Sequence, residues 1–169
     1  MFYKKYNTAF DNIILEEVQG SMRFKYDDAF CEFDSVASVD ALIDIVSDKV
    51  LFNIKPDRTS ITKITKPGVG PHCDAWGVSL NYYLSTASGV THFYNVKPEK
   101  AHEKISGFYT SDEIERCHSF TPAQHDLYLF NTHIVHSVDV PDEMANRYIF
   151  RFIWSTATFD QVVESIEIR

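Results

Sequence analysis

His72-Cys73-Asp74, and a further histidine, His136, 62 positions beyond Asp74, constrain the fold of this chain more than any other feature. An extended strand has a side-chain period of two, so His72 and Asp74 leave the backbone on one face while Cys73 leaves on the other. One more imidazole, arriving from a distant strand, completes two histidines and one carboxylate. Such a set can hold a metal ion from one side and leave its other positions open. Eleven residues after His136 comes Arg147, which starts an apolar, strand-like run ending at Trp154. The order H-x-D, then H, then R is far more specific than any of its parts.

Each part has an ordinary explanation. The chain has seven histidines, at 72, 92, 102, 118, 125, 133 and 136, and a single histidine is more often a surface or hydrogen-bonded residue than a ligand. His72 and Asp74 alone can be a loop hydrogen bond after Pro71. The third ligand has two candidates, because Asn131-Thr-His133-Ile-Val-His136 offers two imidazoles. They are three apart, so in a regular strand they face opposite sides and one of them points at the metal. His136 is preferred, since Ser137-Val138 follows it and Arg147 stands at a suitable distance. His133 is then a rim or outer-face residue.

The 169 residues are expected to form one domain, with 1–58 as supporting strands and a helix, 59–156 as the core and 157–169 as a tail. Aromatic residues make up 14%, with 13 Phe and 9 Tyr, which favours β structure. No apolar run reaches the length of a membrane span, and the first residues lack the apolar stretch of a signal peptide, so a soluble, cytoplasmic protein is expected. Three cysteines, Cys31, Cys73 and Cys117, without a C-x-x-C spacing, fit reduced thiols better than a disulfide framework. The net charge of −8 opposes nucleic acid and acidic membranes as partners.

The sequence predicts an early strand over 11–18. A helix is expected from Val39 to Leu51, behind a Ser38 cap, with apolar residues at 39, 42, 45, 46 and 50 covering the back of a sheet. Phe52–Lys66 reads as two β-rich stretches split at Pro56-Asp57. Lys66-Pro-Gly-Val-Gly-Pro71 reads as a stiff, turning loop that delivers His72. Strands are predicted over Trp76–Ser85 and Val90–Val96, joined by a turn at Thr86–Gly89, then over Leu127–Val138 and Arg147–Trp154. A short helix is expected from Ser111 through Cys117, because Ser111 can cap and Asp112 and Glu113 suit a helix start. Another is expected in the tail, from Thr158 to Ile166. Many strands and few helices indicate a mainly β fold, a double-sheet jelly roll with helices packed outside.

Several segments together carry a family likeness. They are Pro-His72-Cys-Asp74, Leu80-Asn-Tyr-Tyr-Leu84, Gly89-Val-Thr-His-Phe93, Leu129-Phe-Asn-Thr-His-Ile-Val-His136-Ser-Val138 and Asn146-Arg-Tyr-Ile. Over about residues 60–155 the chain resembles the 2-oxoglutarate/Fe(II)-dependent dioxygenases, nearest in character to the prolyl-hydroxylase-like branch and small phage and marine oxygenases. The resemblance implies a double-stranded β-helix, Fe(II) held by His72, Asp74 and His136, and 2-oxoglutarate and O₂ as co-substrates. It implies hydroxylation or a related oxidation, with release of succinate and CO₂. Arg147 would grip the far carboxylate of 2-oxoglutarate through paired hydrogen bonds. Tyr83 matches a tyrosine that donates to the same carboxylate in the prolyl-hydroxylase-like branch.

The chain departs from that pattern in places. Ile149 stands two after the arginine, where many members carry a small hydroxyl residue. Arg151 is a second basic residue on the same strand face, able to compete for the co-substrate or line the substrate mouth, or to snorkel at a strand edge. Gly89-Val90 stands where a Gly-Gly pair is often found. Ile153 occupies the position where nucleic-acid dealkylating members carry a second arginine. The expected substrate is therefore a peptidyl or free amino-acid side chain, or a small metabolite, with the mouth shaped by residues 97–126 and the first 58. Trp76 and Tyr94 are candidates to stack on it. The rival readings are a non-catalytic jelly-roll binding module that keeps the pocket, and a cupin-like metal enzyme without 2-oxoglutarate. Arg147 after the second metal histidine argues against the last.

Overall fold

The computed structural model describes residues 1–7, 30–33, 37–64, 68–75, 77–85, 89–100, 107–140 and 147–169. These residues build two facing antiparallel sheets. The first holds β1 (Tyr3–Tyr6), β2 (Phe30–Phe33), β4 (Arg58–Ile64), β6 (Val78–Tyr83), β10 (Leu127–Asn131) and β12 (Arg147–Trp154), in the order β1-β10-β6-β12-β4-β2. The second holds β5 (Gly68–Cys73), β7 (Val90–Val96), β8 (Gly107–Phe108), β9 (Ile114–Phe120) and β11 (His136–Asp139), in the order β8-β5-β11-β7-β9. Successive strands cross repeatedly between the sheets: β4, β6, β10 and β12 lie in the first and β5, β7, β9 and β11 in the second. This crossing pattern is the jelly roll, and the mainly β expectation holds.

Alternation along the strands divides the chemistry of the first sheet. Its back face carries Ile61, Leu80, Tyr82, Leu127, Leu129, Phe150, Phe152 and Trp154. Helix α1 (Ala37–Lys49) and helix α2 (Phe159–Ser165) cover that face with Leu42, Val46, Phe159 and Val162. A small ribbon of β3 (Val50–Phe52) and β13 (Ile166–Ile168) ties the two helix ends together. The face turned toward the second sheet is mixed. Tyr83, Tyr128, Phe130 and Ile149 pack there with Val138 of the second sheet. Ser60, Thr62, Ser79, Asn81, Arg147 and Arg151 are buried along the same side, so the space between the sheets is a polar cavity as well as a core.

Several local expectations change. The helix starts at Ala37, so Ser38 lies inside it instead of capping it. It ends at Lys49, and Val50 and Leu51 belong to β3. Ile45 is 36% exposed, and Leu42 and Val46, with the partly buried Ile43 beside them, form the packed stripe of the described positions. Gly68 to Pro71 is strand, because Gly68 takes a φ of +101° and pairs with Asp139. The segment 111–117 is no helix: Thr110–Glu113 is a turn, closed by the Glu113 carboxylate accepting from the Thr110 backbone and hydroxyl, and β9 comes next. The predicted strand 127–138 is two strands separated by a turn at Thr132–Ile134. The tail helix forms as expected, with Thr158 and Gln161 making a reciprocal cap. The strand over 11–18, Trp76 and the turn at 86–88 fall outside the described residues.

Candidate metal centre and its cavity

His72 and His136 are direct cross-strand partners on β5 and β11. Asp74 follows β5 and is fixed by its backbone N–H, which donates to the Thr132 carbonyl at 3.0 Å. The alternation read from H-x-D is seen here: Cys73 points the other way, into a cluster with Tyr109, Ile114 and Val135. One ligand-type atom from each of His72, Asp74 and His136 lies within 4.8 Å of the others. His72 Nε2 stands 3.6 Å from Asp74 Oδ1, and His136 Nε2 stands 3.9 Å from Asp74 Oδ2. A metal ion at about 2.1 Å from each atom spans such separations.

The tautomers suit that role. A carbonyl only accepts, so each contact between a ring nitrogen and a carbonyl fixes the proton. His72 Nδ1 donates to Gly70 O at 2.8 Å, and His136 Nδ1 donates to Ile134 O at 2.9 Å. Both Nε2 lone pairs are left for the shared centre. Burial, and then the neighbouring His72, push the pKa of His136 down to about 4, so its imidazole is neutral near pH 7. His133 sits on the turn after β10 and is exposed. The turn, and not strand parity, separates the two histidines.

The same cavity runs from this centre to Arg147 at the start of β12. The space between its walls comes to about 580 Å³ when the open solvent at its mouth is counted. Arg147 is 1% exposed. Its Nη2 donates to Tyr83 Oη at 2.9 Å and to Thr91 Oγ1 at 2.7 Å. Nε and Nη1 have no hydrogen-bond partner among the described residues. A buried guanidinium with two idle nitrogens is costly unless an anion completes it.

Arg151 and Ile149 also line the cavity, as the four-residue and two-residue spacings from Arg147 require. Ile149 brings no hydroxyl to Arg147; Tyr83 does so from the adjacent β6 and Thr91 from β7 of the facing sheet. Tyr94, a candidate for stacking at the mouth, does not line the cavity. Alternation along β7 puts it with His92 on the other face of the second sheet, where its hydroxyl lies 2.9 Å from Ser137 Oγ. Sequence reasoning missed Thr91, Thr62 and Phe108. Thr91 was findable, being one strand position from His92 inside the Gly89–Phe93 motif. Phe108 was not, because it reaches His72 only through pairing of β8 with β5. Its ring centroid is 5.6 Å from that of His72, and the residue is 68% exposed. The segment 97–126 thus reaches the His72 end of the cavity.

No protein-family model matches this chain, and no curated protein matches its sequence. Solved structures do match. E. coli ycfD aligns with 96% of this chain and 52% of its own, at 14% identity and a TM-score of 0.58. HygX from Streptomyces hygroscopicus, determined with nickel, 2-oxoglutarate and hygromycin B bound, aligns over 83% of this chain and 76% of its own, at 11% identity and a TM-score of 0.51. A hazelnut vicilin aligns over 80% of this chain at 11% identity and a TM-score of 0.44. The chain spans about half the length of ycfD and 31% of the vicilin. At these identities the likeness is one of fold, and the chain is built on the jelly-roll plan that ycfD and HygX share.

Proposed function

We propose that this protein is an Fe(II)- and 2-oxoglutarate-dependent dioxygenase. One observation carries the reading: a buried arginine with idle donors closes the same cavity that opens on two imidazoles and a carboxylate. His72, Asp74 and His136 would hold Fe(II). Arg147, with Tyr83 beside it, would hold the far carboxylate of 2-oxoglutarate. The likeness of fold to HygX, which binds 2-oxoglutarate and a metal, supports the same assignment.

When bound, the iron and its 2-oxo acid would supply oxidising power from O₂, with succinate and CO₂ as by-products. The protein's own tasks are positional. The backbone carbonyls of Gly70 and Ile134 hold both ligand imidazoles in the tautomer that presents Nε2. The hydroxyls of Tyr83 and Thr91 hold the Arg147 guanidinium, so little is lost in ordering it when the dicarboxylate arrives. The substrate class is an amino-acid side chain, peptidyl or free, or a small metabolite, with nucleic acid disfavoured by the acidic balance.

The test is anaerobic addition of Fe(II) and 2-oxoglutarate, watching for the visible charge-transfer band of the chelate. The band, followed by succinate release on admitting O₂, is the expected result. Metal and ligand binding without any succinate would instead favour a binding module that keeps the pocket.

A further inference from the structure

Among the described residues, four buried side-chain atoms have no hydrogen-bond partner: Tyr6 Oη, Thr62 Oγ1, Arg147 Nε and Arg147 Nη1. Buried polar groups are seldom left so, because each has given up its bonds to water. Tyr6 lies on the back face of the first sheet, among the apolar contacts there. The other three atoms belong to two residues that line one cavity, and both residues are 1% exposed. Three idle atoms around one cavity point to a single ligand that completes them.

The register brings Thr62 to the flank of Arg147. Ile149 on β12 pairs with Thr62 on β4 and with Tyr83 on β6. Arg147 stands two residues before Ile149 on the same face, so Thr62 and Tyr83 are its diagonal neighbours on opposite sides of β12. On the β6 side the diagonal is closed. The guanidinium lies 4.8 Å from the centre of the Tyr83 ring, and Nη2 donates to the Tyr83 hydroxyl. On the β4 side no bond joins the guanidinium to Thr62. Diagonal neighbours stand roughly 7–8 Å apart at their roots, so a short threonine can share a ligand with the arginine without touching it.

The chemistry of the three atoms selects the ligand. Arg147 Nε and Nη1 only donate, and the Thr62 hydroxyl can donate as well. Donors beside a guanidinium charge suit an anion with more than one acceptor oxygen, a carboxylate. Ile149, between Thr62 and Tyr83, has nothing to offer it. For the identity of that carboxylate the inference rests on the dioxygenase reading. We infer that Thr62 is a co-substrate-binding residue, whose hydroxyl donates to the far carboxylate of 2-oxoglutarate from the side of β12 opposite Tyr83.

The experiment compares the unaltered protein with Thr62→Val, which removes the hydroxyl and nearly keeps the side-chain volume. Calorimetry on anaerobic, Fe(II)-loaded protein measures binding of 2-oxoglutarate and of pyruvate, a 2-oxo acid that lacks the far carboxylate. Glutarate, which lacks the chelating oxo group, is titrated into metal-free protein and read as a rise in Tm. Thr62→Val should bind 2-oxoglutarate about tenfold more weakly, as for one hydrogen bond to a charged group, and pyruvate within about twofold of the unaltered protein. Glutarate should raise its Tm less. Its empty form should melt no lower than the unaltered protein, because an idle buried hydroxyl costs stability. Thr62→Ser, which keeps the hydroxyl, should bind like the unaltered protein. Thr62→Ser against Thr62→Ala gives the same comparison if the valine variant fails to fold. Unchanged 2-oxoglutarate binding in Thr62→Val overturns the inference. So does an equal loss for pyruvate, since the hydroxyl would then act at the metal end, and so does failure of both 2-oxoglutarate and glutarate to bind the unaltered protein. Absence of the chelate band, with glutarate binding that weakens in Thr62→Val, would sink the dioxygenase reading and leave Thr62 as part of a carboxylate site.

Discussion

At the scale of single residues, the site separates into groups whose removal has distinct signatures. His136→Ala should strip the protein of iron while the exposed His133→Ala retains it, read as metal content after desalting; equal retention would break the ligand assignment. Arg147→Gln should keep its iron but need about 10- to 150-fold more 2-oxoglutarate for the chelate band, the equivalent of roughly 1.5–3 kcal/mol for a buried charged hydrogen bond. An unchanged requirement would move that role elsewhere on β12. The depressed pKa of His136 gives a further expectation for the metal-free protein. Its unfolded form takes up a proton near 6.5, whereas its folded form resists until about 4. Across that window the unfolded state binds more protons, so stability falls as pH falls, by at most about 3 kcal/mol. Thermal unfolding between pH 7 and 4.5 should show this slope, and it should flatten in His136→Gln.

At the scale of elements, the pairing of β5 with β11 decides whether His72, Asp74 and His136 come together. A Cβ at Gly68 would collide with the Val138 carbonyl oxygen, and the φ of +101° is strained for any other residue. Gly68→Ala should therefore cost on the order of 1–3 kcal/mol from backbone strain alone. It should also weaken metal binding, since the two histidines face each other across that pair. Normal iron affinity in a destabilised Gly68→Ala would show that the pairing and the site are independent. The strands that carry His72, Tyr83 and Arg147 were legible because their side chains alternate, and alternation is a local signal. The segment 111–117 misleads for a physical reason. Its acidic start does close a turn, through Glu113 and Thr110. The residues from Ile114 onward, however, pair with β7, and non-local pairing outweighs weak helix propensity. Likewise the break at Thr132–Ile134 has only a short mark in the hydrophobic pattern, Asn131-Thr132-His133, after which Ile134 and Val135 resume the apolar run. Asn81 looked like an ordinary sheet residue for the same reason; its setting opposite Arg151 exists only in the folded register.

At the scale of the whole molecule, stability and chemistry occupy opposite faces of one sheet. Phe152 is 1% exposed on the back face, stacked edge-on with Phe150 and close to Phe52. Phe152→Ala should lower the unfolding free energy by about 3–5 kcal/mol, read by denaturant melts. The fraction that remains folded should bind iron with unchanged affinity, and a matching loss of affinity would mean that the two faces are coupled. Those faces are also uneven in what they ask of the sequence. The aromatic and aliphatic contacts that hold the sheet to its helices leave little room for exchange, whereas the cavity side carries Ser60, Thr62, Ser79, Asn81 and Thr132, whose side chains are short and polar. A lineage or a mutagenesis library can therefore rewrite the cavity wall residue by residue, trying new substrates, while the apolar seam behind it keeps the two sheets standing.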